Sequence, residues 1–365
     1  MNRRHFLQTT GAFAVAAPIP GIARGEAAFD PRPGPWRTFE IKTRIEVLNP
    51  SGTTRVWVPI PSMNEPDWVR SLDSEWSGNA RKAEIVTDRK YGARMVYAEW
   101  GPGDREPALE VVSRFSSRDR AVDLAEPGRA APLSPDEVRL YTAPTRLIPT
   151  DGVVLATARK ITRNARTDIE KARAIYEWVV ENTFRNPKTR GCGLGDIRFM
   201  LETGDLGGKC ADLNALFVGL ARAVGLPARD VYGIRVAPSK FGYKSLGAGG
   251  ANITRAQHCR AEVYLTGYGW VPVDPADVRK VVLEEPPGQL PLDHPKVVQA
   301  RRTLFGAWEG NWLPYNVAHD VELPYSNGPP LGFLMYPQGE TAAGRLDSLD
   351  PDTFHYEITS REITA

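Results

Sequence analysis

The sequence predicts an α+β protein in which a β-sandwich domain precedes a core of helices and strands. Three observations carry the prediction. From Phe39 to about Val122 apolar residues recur with period two, as in half-buried strands. From Gly152 to Val224 the apolar spacing becomes helical, and from Asp230 to Val273 short strand-like runs return. At 365 residues the chain is long enough for two domains with full cores.

The first residues are expected to be an address rather than fold. Asn2-Arg3-Arg4-His5-Phe6-Leu7-Gln8 resembles the twin-arginine export motif. An apolar stretch follows, and Gly25-Glu26-Ala27 offers the small residues a signal peptidase needs. Residues 1–27 are therefore read as a twin-arginine signal peptide, and the mature protein as periplasmic or secreted. The segment is too short and too broken by Gly and Pro to be a stable membrane span.

Residues 36–128 are assigned to the sandwich. Phe39, Ile41, Ile45 and Val47 alternate with Glu40, Lys42, Arg44 and Glu46, and Asn49-Pro50-Ser51-Gly52 turns the chain into Arg55–Ile60. Ala93–Tyr97 and Leu109–Phe115 are further strands. Pro and Gly near Glu126–Pro132 mark a boundary, and residues 134–285 form the second domain. There, Gly152–Ala165 and Ile169–Val180 read as helices, the latter capped with help from Asp168. A glycine-rich loop, Arg190–Asp196, leads to a helix opening at Cys210 and closing at Gly225 with Pro227 beyond it. Strands follow at Asp230–Val236, Arg260–Leu265 and Trp270–Val273. Phe241–Ala256, rich in Gly and small polar residues, is either a plain connection or a wall or lid beside a site. Residues 286–365 are too few for a core of their own and are expected to pack on the second domain.

Composition narrows the function. Lys and Arg total 46 against 44 Asp and Glu, a net charge of +2, which gives no electrostatic pull toward nucleic acid. No phosphate-binding loop, dinucleotide fingerprint, EF-hand or repeat period is present. No organic cofactor and no metal are expected, so the chemistry falls to side chains.

The chemistry centres on Cys210, in Gly207-Gly208-Lys209-Cys210-Ala211-Asp212-Leu213-Asn214. A cysteine opening a helix meets unpaired N–H groups and a partial positive charge, both of which favour thiolate. His258 and Asp274 lie 274 − 258 = 16 residues apart, room for two strands joined at Thr266-Gly267-Tyr268-Gly269. A hairpin there can set His258 beside Asp274. The imidazole would take the thiol proton and the carboxylate would hold the other ring nitrogen. Asp212 reads as a helix cap more readily than as a catalyst. Taken one at a time, each residue is more simply structural; the joint pattern is what points to catalysis.

The two other cysteines, Cys192 and Cys259, either bridge or remain buried or site-lining thiols. A zinc site from Cys192, Cys210, His258 and Cys259 is disfavoured, because adjacent strand residues face opposite sides. Trp270, Trp308 and Trp312 are read as core rather than cleft, and His294, His319 and His355 as structural or exposed.

The run Gly207–Arg229, with its Gly-x-Cys start and Leu-Pro-Ala-Arg end, resembles the nucleophile helix of the transglutaminase-like superfamily. His258 to Asp274, ending Gly-Trp-Val-Pro-Val-Asp, is similar to its His and Asp strands. The resemblance covers roughly Gly152 to Lys280. It implies a papain-like transglutaminase core with Cys210 as nucleophile, His258 as base and Asp274 as orienter. It also implies acyl transfer from a peptide, protein or other amide through a Cys210 thioester. Hydrolysis is expected, with amine cross-linking as the alternative and a non-catalytic binder of peptide or glycan as a second. The family often carries His-Ala-Trp where this chain has His258-Cys259-Arg260. Cys259 should point away from His258, sparing the triad but altering the wall beside it. The Cys210 N–H is the first candidate oxyanion donor.

Overall fold

The computed structural model describes residues 28–352 and 354–363. The expected export segment, residues 1–27, lies outside the described residues. The alternation seen from Phe39 onward builds two antiparallel sheets. One runs Tyr356–Ile363, Arg37–Glu46, Ala108–Ser117, Val69–Gly78. The other runs Gly344–Arg345, Gln338–Thr341, Thr54–Pro59, Arg94–Trp100, Lys82–Thr87. Side chains that alternate inward, such as Phe39, Ile41, Ile45 and Phe115 from the first and Val56, Val58 and Val96 from the second, share one core. The Phe39 and Phe115 rings stack with centroids 5.4 Å apart. The second sheet is covered on its outer face too: Trp57, Met95 and Tyr97 pack against Ala318, Val321, Leu323 and Leu334. This explains why Val56-Trp57-Val58 reads as an unbroken apolar run rather than an alternation.

The second region places helices Gly152–Thr162, Asp168–Asn182 and Cys210–Ala223 against a sheet ordered Gly269–Val273, Gln257–Leu265, Ala228–Arg235, Trp312–Asn316. Helix Asp168–Asn182 is capped by Thr167, not by Asp168. The Thr167 hydroxyl accepts from the Glu170 N–H, and the Glu170 carboxylate accepts from the Thr167 N–H, so the capping box is reciprocal. Cys210 to Arg222 is buried on every side because the helix lies between the sheet and the other helices. It ends as its sequence predicts. Gly225, at φ +84°, lets its N–H bond the Arg222 carbonyl at 2.9 Å while the Leu226 N–H bonds that of Ala221 at 3.0 Å.

The chain after residue 286 does more than pack on this region. Trp312–Asn316 extends its sheet, but Gln338–Thr341 and Tyr356–Ile363 enter the two sheets of the sandwich. Tyr356–Ile363 pairs with Arg37–Glu46 in register from Thr38–Ile363 to Ile45–Tyr356. Among the described residues, no helix is long and apolar enough to cross a membrane.

Candidate active site

Cys210 is the first residue of its helix, so its backbone N–H has no partner within the helix. The approach to it is held by Asp212. One carboxylate oxygen accepts from the N–H groups of Leu194 and Gly195, both at 2.9 Å, and the other from that of Lys209 at 3.0 Å. Asp212 is thus a tie between the glycine-rich loop and the helix start. Two glycines make room for it. A side chain at Gly193, at φ +95°, would fall 1.8 Å from an Asp212 oxygen, and one at Gly208 2.5 Å from the Asp212 Cβ. The Ala211 N–H bonds the Cys192 carbonyl at 2.9 Å, and the Cys192 N–H bonds the Tyr336 hydroxyl at 3.0 Å.

His258 lies at the start of strand Gln257–Leu265. The hairpin with Gly269–Val273 turns through Gly267 and Gly269, both at positive φ, and brings Asp274 to the imidazole. Nε2 of His258 stands 2.8 Å from Oδ2 of Asp274. Asp274 also caps helix Pro275–Glu284, its Oδ1 accepting from the Asp277 N–H at 3.0 Å and from Nδ2 of Asn214 at 3.3 Å. The Trp312 indole N–H donates to the His258 carbonyl at 2.9 Å, fixing the strand start.

Sequence reasoning missed a second set of charges behind this pair. Asp277 comes within 3.4 Å of His258 Nε2 and accepts two bonds from Arg235, at 2.6 and 2.8 Å. Arg260 stands 3.7 Å from Asp274 and over the Trp312 ring at 4.6 Å. All are buried. The signals were weak, since an aspartate three residues after Asp274-Pro275 reads as a helix-start charge and an arginine inside a strand as an exposed alternate.

These neighbours set the ionisation. Burial and the Arg235 charge oppose protonation of His258, yet the carboxylates of Asp277 and Asp274 outweigh both and lift its pKa to about 9. Burial also opposes ionisation of the Cys210 thiol, but hydrogen bonds from Cys192, Cys259 and His258, with the imidazolium charge, hold its pKa well below the ordinary value. Both shifts favour thiolate and imidazolium over the neutral pair.

All three thiols are free, buried and gathered. The sulfurs of Cys192, Cys210 and Cys259 lie within 4.8 Å of one another, apart from the group formed by His258, Asp274 and Asp277. Cys259 follows His258 directly in its strand, and its sulfur lies beside those of Cys210 and Cys192.

Cys210 and His258 line a cleft of about 750 Å³. Residues 247–249 and 252–257 form one wall, which makes the long loop a wall of the cleft. Tyr336 and residues from the C-terminal segment, His355 among them, form another. Trp270, Trp308 and Trp312 are not among its lining residues; the latter two are buried core, and Trp270 packs under Arg229. His294 caps helix Pro295–Thr303, and His319 is buried against Tyr232.

Residues 155–275 match the Transglutaminase-like superfamily, a span that holds Cys210, His258 and Asp274. A protein of Haemophilus influenzae (strain ATCC 51907 / DSM 11121 / KW20 / Rd), described only as uncharacterized, is 37% identical over 343 residues, covering 89% of this chain and 91% of its own. A crystal structure from Cytophaga hutchinsonii, provisionally described as a cysteine protease, superposes with a TM-score of 0.54 at 14% identity. It covers 91% of this chain and 92% of its own, and it shares the fold. With its buried thiol, imidazole and carboxylate on an α+β core behind a strand-rich sandwich, the chain belongs to the transglutaminase-like superfamily.

Proposed function

We propose that this protein is an exported cysteine hydrolase that cleaves an amide or peptide bond through a thioester at Cys210. The observation that carries the reading is the site's arrangement. A thiol at a helix start shares a cleft floor with an imidazole whose far nitrogen is 2.8 Å from a buried carboxylate. In this mechanism the Cys210 thiolate attacks the substrate carbonyl carbon. The developing oxyanion takes the Cys210 N–H, left open by the helix start. The His258 imidazolium gives its proton to the departing amine nitrogen as the C–N bond breaks, leaving a thioester. Water then loses a proton to His258 and attacks the thioester, returning the acid and the thiolate. Asp274 keeps the ring oriented and its charge compensated throughout. The leader's resemblance to a twin-arginine signal supports a site of action in the periplasm or outside the cell.

Iodoacetamide tests the nucleophile. Near neutral pH, Cys210 is expected to alkylate faster than a free-cysteine peptide, and His258→Ala to slow it. Equal rates would sink the catalytic reading and leave a non-catalytic binding module. A peptide library incubated with a tagged primary amine then separates the two acceptors. Cleavage without tag is the expected result, whereas tag incorporation without cleavage would make the protein a cross-linking transglutaminase.

A further inference from the structure

The mechanism uses one thiol, yet three converge at the base of the cleft. Cys192 comes from the glycine-rich loop, Cys210 from the helix start and Cys259 from the central strand, their sulfurs within 4.8 Å of one another. A fourth sulfur adjoins them, the Met335 thioether 3.8 Å from the Cys259 sulfur. No carboxylate belongs to this group; the nearby ones are engaged by His258 and Arg235. Cys192 and Cys210 line the cleft, while Cys259 is fully buried behind them.

We propose that the Cys192, Cys210 and Cys259 thiolates form a binding site for a single soft thiophilic cation, Cu(I). A metal–thiolate bond of about 2.3 Å spaces three trigonal sulfurs about 4.0 Å apart. The sulfurs, within 4.8 Å of one another, would need to close by less than about 1 Å. Because the Cys192 backbone is bonded to Tyr336 and Ala211, that closure falls to rotation of the cysteine side chains about their Cα–Cβ bonds. Ligand type and count select the ion: sulfur without oxygen excludes hard divalent cations, and three thiolates suit trigonal Cu(I) where Zn²⁺ takes four tetrahedral ligands. A disulfide would account for two of the sulfurs and leave the third unexplained; a metal uses all three. As each S–Cu bond forms, the S–H bonds of Cys192 and Cys259 break and their protons pass to solvent, while Cys210 is already a thiolate. His258 and Arg235, on the same cleft, face the resulting negative charge. The ion would also occupy the nucleophile and arrest turnover. That consequence rests on the function proposed above, whereas the binding does not.

The test is anaerobic titration of the reduced full chain with Cu(I) held by bicinchoninate. One Cu(I) per chain is expected to leave the chelator. Cys192→Ser and Cys259→Ser should each weaken retention by roughly tenfold or more. Copper that stays with the chelator, or is kept equally well by both variants, overturns the site. Because a buried Cys259→Ser chain can fail to fold, X-ray absorption on the copper-loaded wild type decides independently. Three sulfur neighbours are expected, and two or fewer refute the proposal.

Discussion

If Cys210 and His258 rest as thiolate and imidazolium, removing the thiolate should expose a pH dependence of stability that the native chain conceals. The His258 pKa is raised from 6.5 to about 9. Between those values the folded state binds a proton at His258 that the unfolded state has released, so this group's contribution falls as pH rises. It is fully present below about 6.5 and lost as pH passes about 9. The shift corresponds to roughly 3 kcal/mol, since each pKa unit is about 1.4 kcal/mol. Cys210 works with the opposite sign. Its folded pKa lies well below the ordinary 9.0, so over the same window the unfolded chain holds a proton that the folded chain lacks, and its contribution grows with pH. One proton gained and one lost leave the wild type nearly flat between pH 6.5 and 9. Cys210→Ser deletes the compensating half. Urea denaturation of both proteins across this range should show the variant losing roughly 3 kcal/mol relative to wild type as pH rises. Parallel curves would refute the ion pair, because a neutral thiol beside a neutral imidazole has no opposing term to remove.

Two further substitutions probe the buried charges. Asp277→Asn leaves the Arg235 guanidinium without its two carboxylate bonds and beside His258. It should cost roughly 3–5 kcal/mol, lower the His258 pKa, and slow Cys210 alkylation near pH 7. Asp277→Glu should recover part of both in a pH–alkylation profile, and an unchanged profile in the Asn variant would make Asp277 merely structural. Glu262, fully buried, accepts from Arg229 at 2.5 Å and also from Arg120. Glu262→Gln should also cost roughly 3–5 kcal/mol in denaturant titrations. The folded variant should keep the wild-type alkylation rate, and a changed rate would show that this cluster reaches the cleft.

What the sequence disclosed depended on whether a signal was local. Phe39–Val47 alternates cleanly because one face of Arg37–Glu46 meets the core, and helix Cys210–Ala223 shows its end through Gly225 and Pro227. Strands Val69–Gly78 and Lys82–Thr87 escaped detection. Both lie at sheet edges with mostly exposed or half-buried side chains, so neither carries a buried stripe. No local pattern could show the partner of strand Tyr356–Ile363, since Thr38 pairs with Ile363 across most of the sequence. The same division holds in the site. Cys210, His258 and Asp274 each sit in a recognisable local frame. Asp277 and Arg235 do not, because their roles arise only when a helix start and a strand meet behind the imidazole.

That long-range pairing ties the sandwich to the candidate site. The segment lining one wall of the cleft, including Tyr336 and His355, continues directly into strand Tyr356–Ile363, bonded along the length of Arg37–Glu46. Tyr336 also accepts the Cys192 N–H, and the Cys192 carbonyl accepts the Ala211 N–H at the start of helix Cys210–Ala223. A continuous line of hydrogen bonds and covalent chain therefore runs from the first strand of the sandwich to the residue beside Cys210. The sulfur's position is fixed from two sides, by Asp212 within its own helix and by a wall anchored in the other sheet system. A fragment confined to residues 134–285 would keep Cys210, His258 and Asp274 but lose Tyr336 and that wall, so the site belongs to the whole described chain.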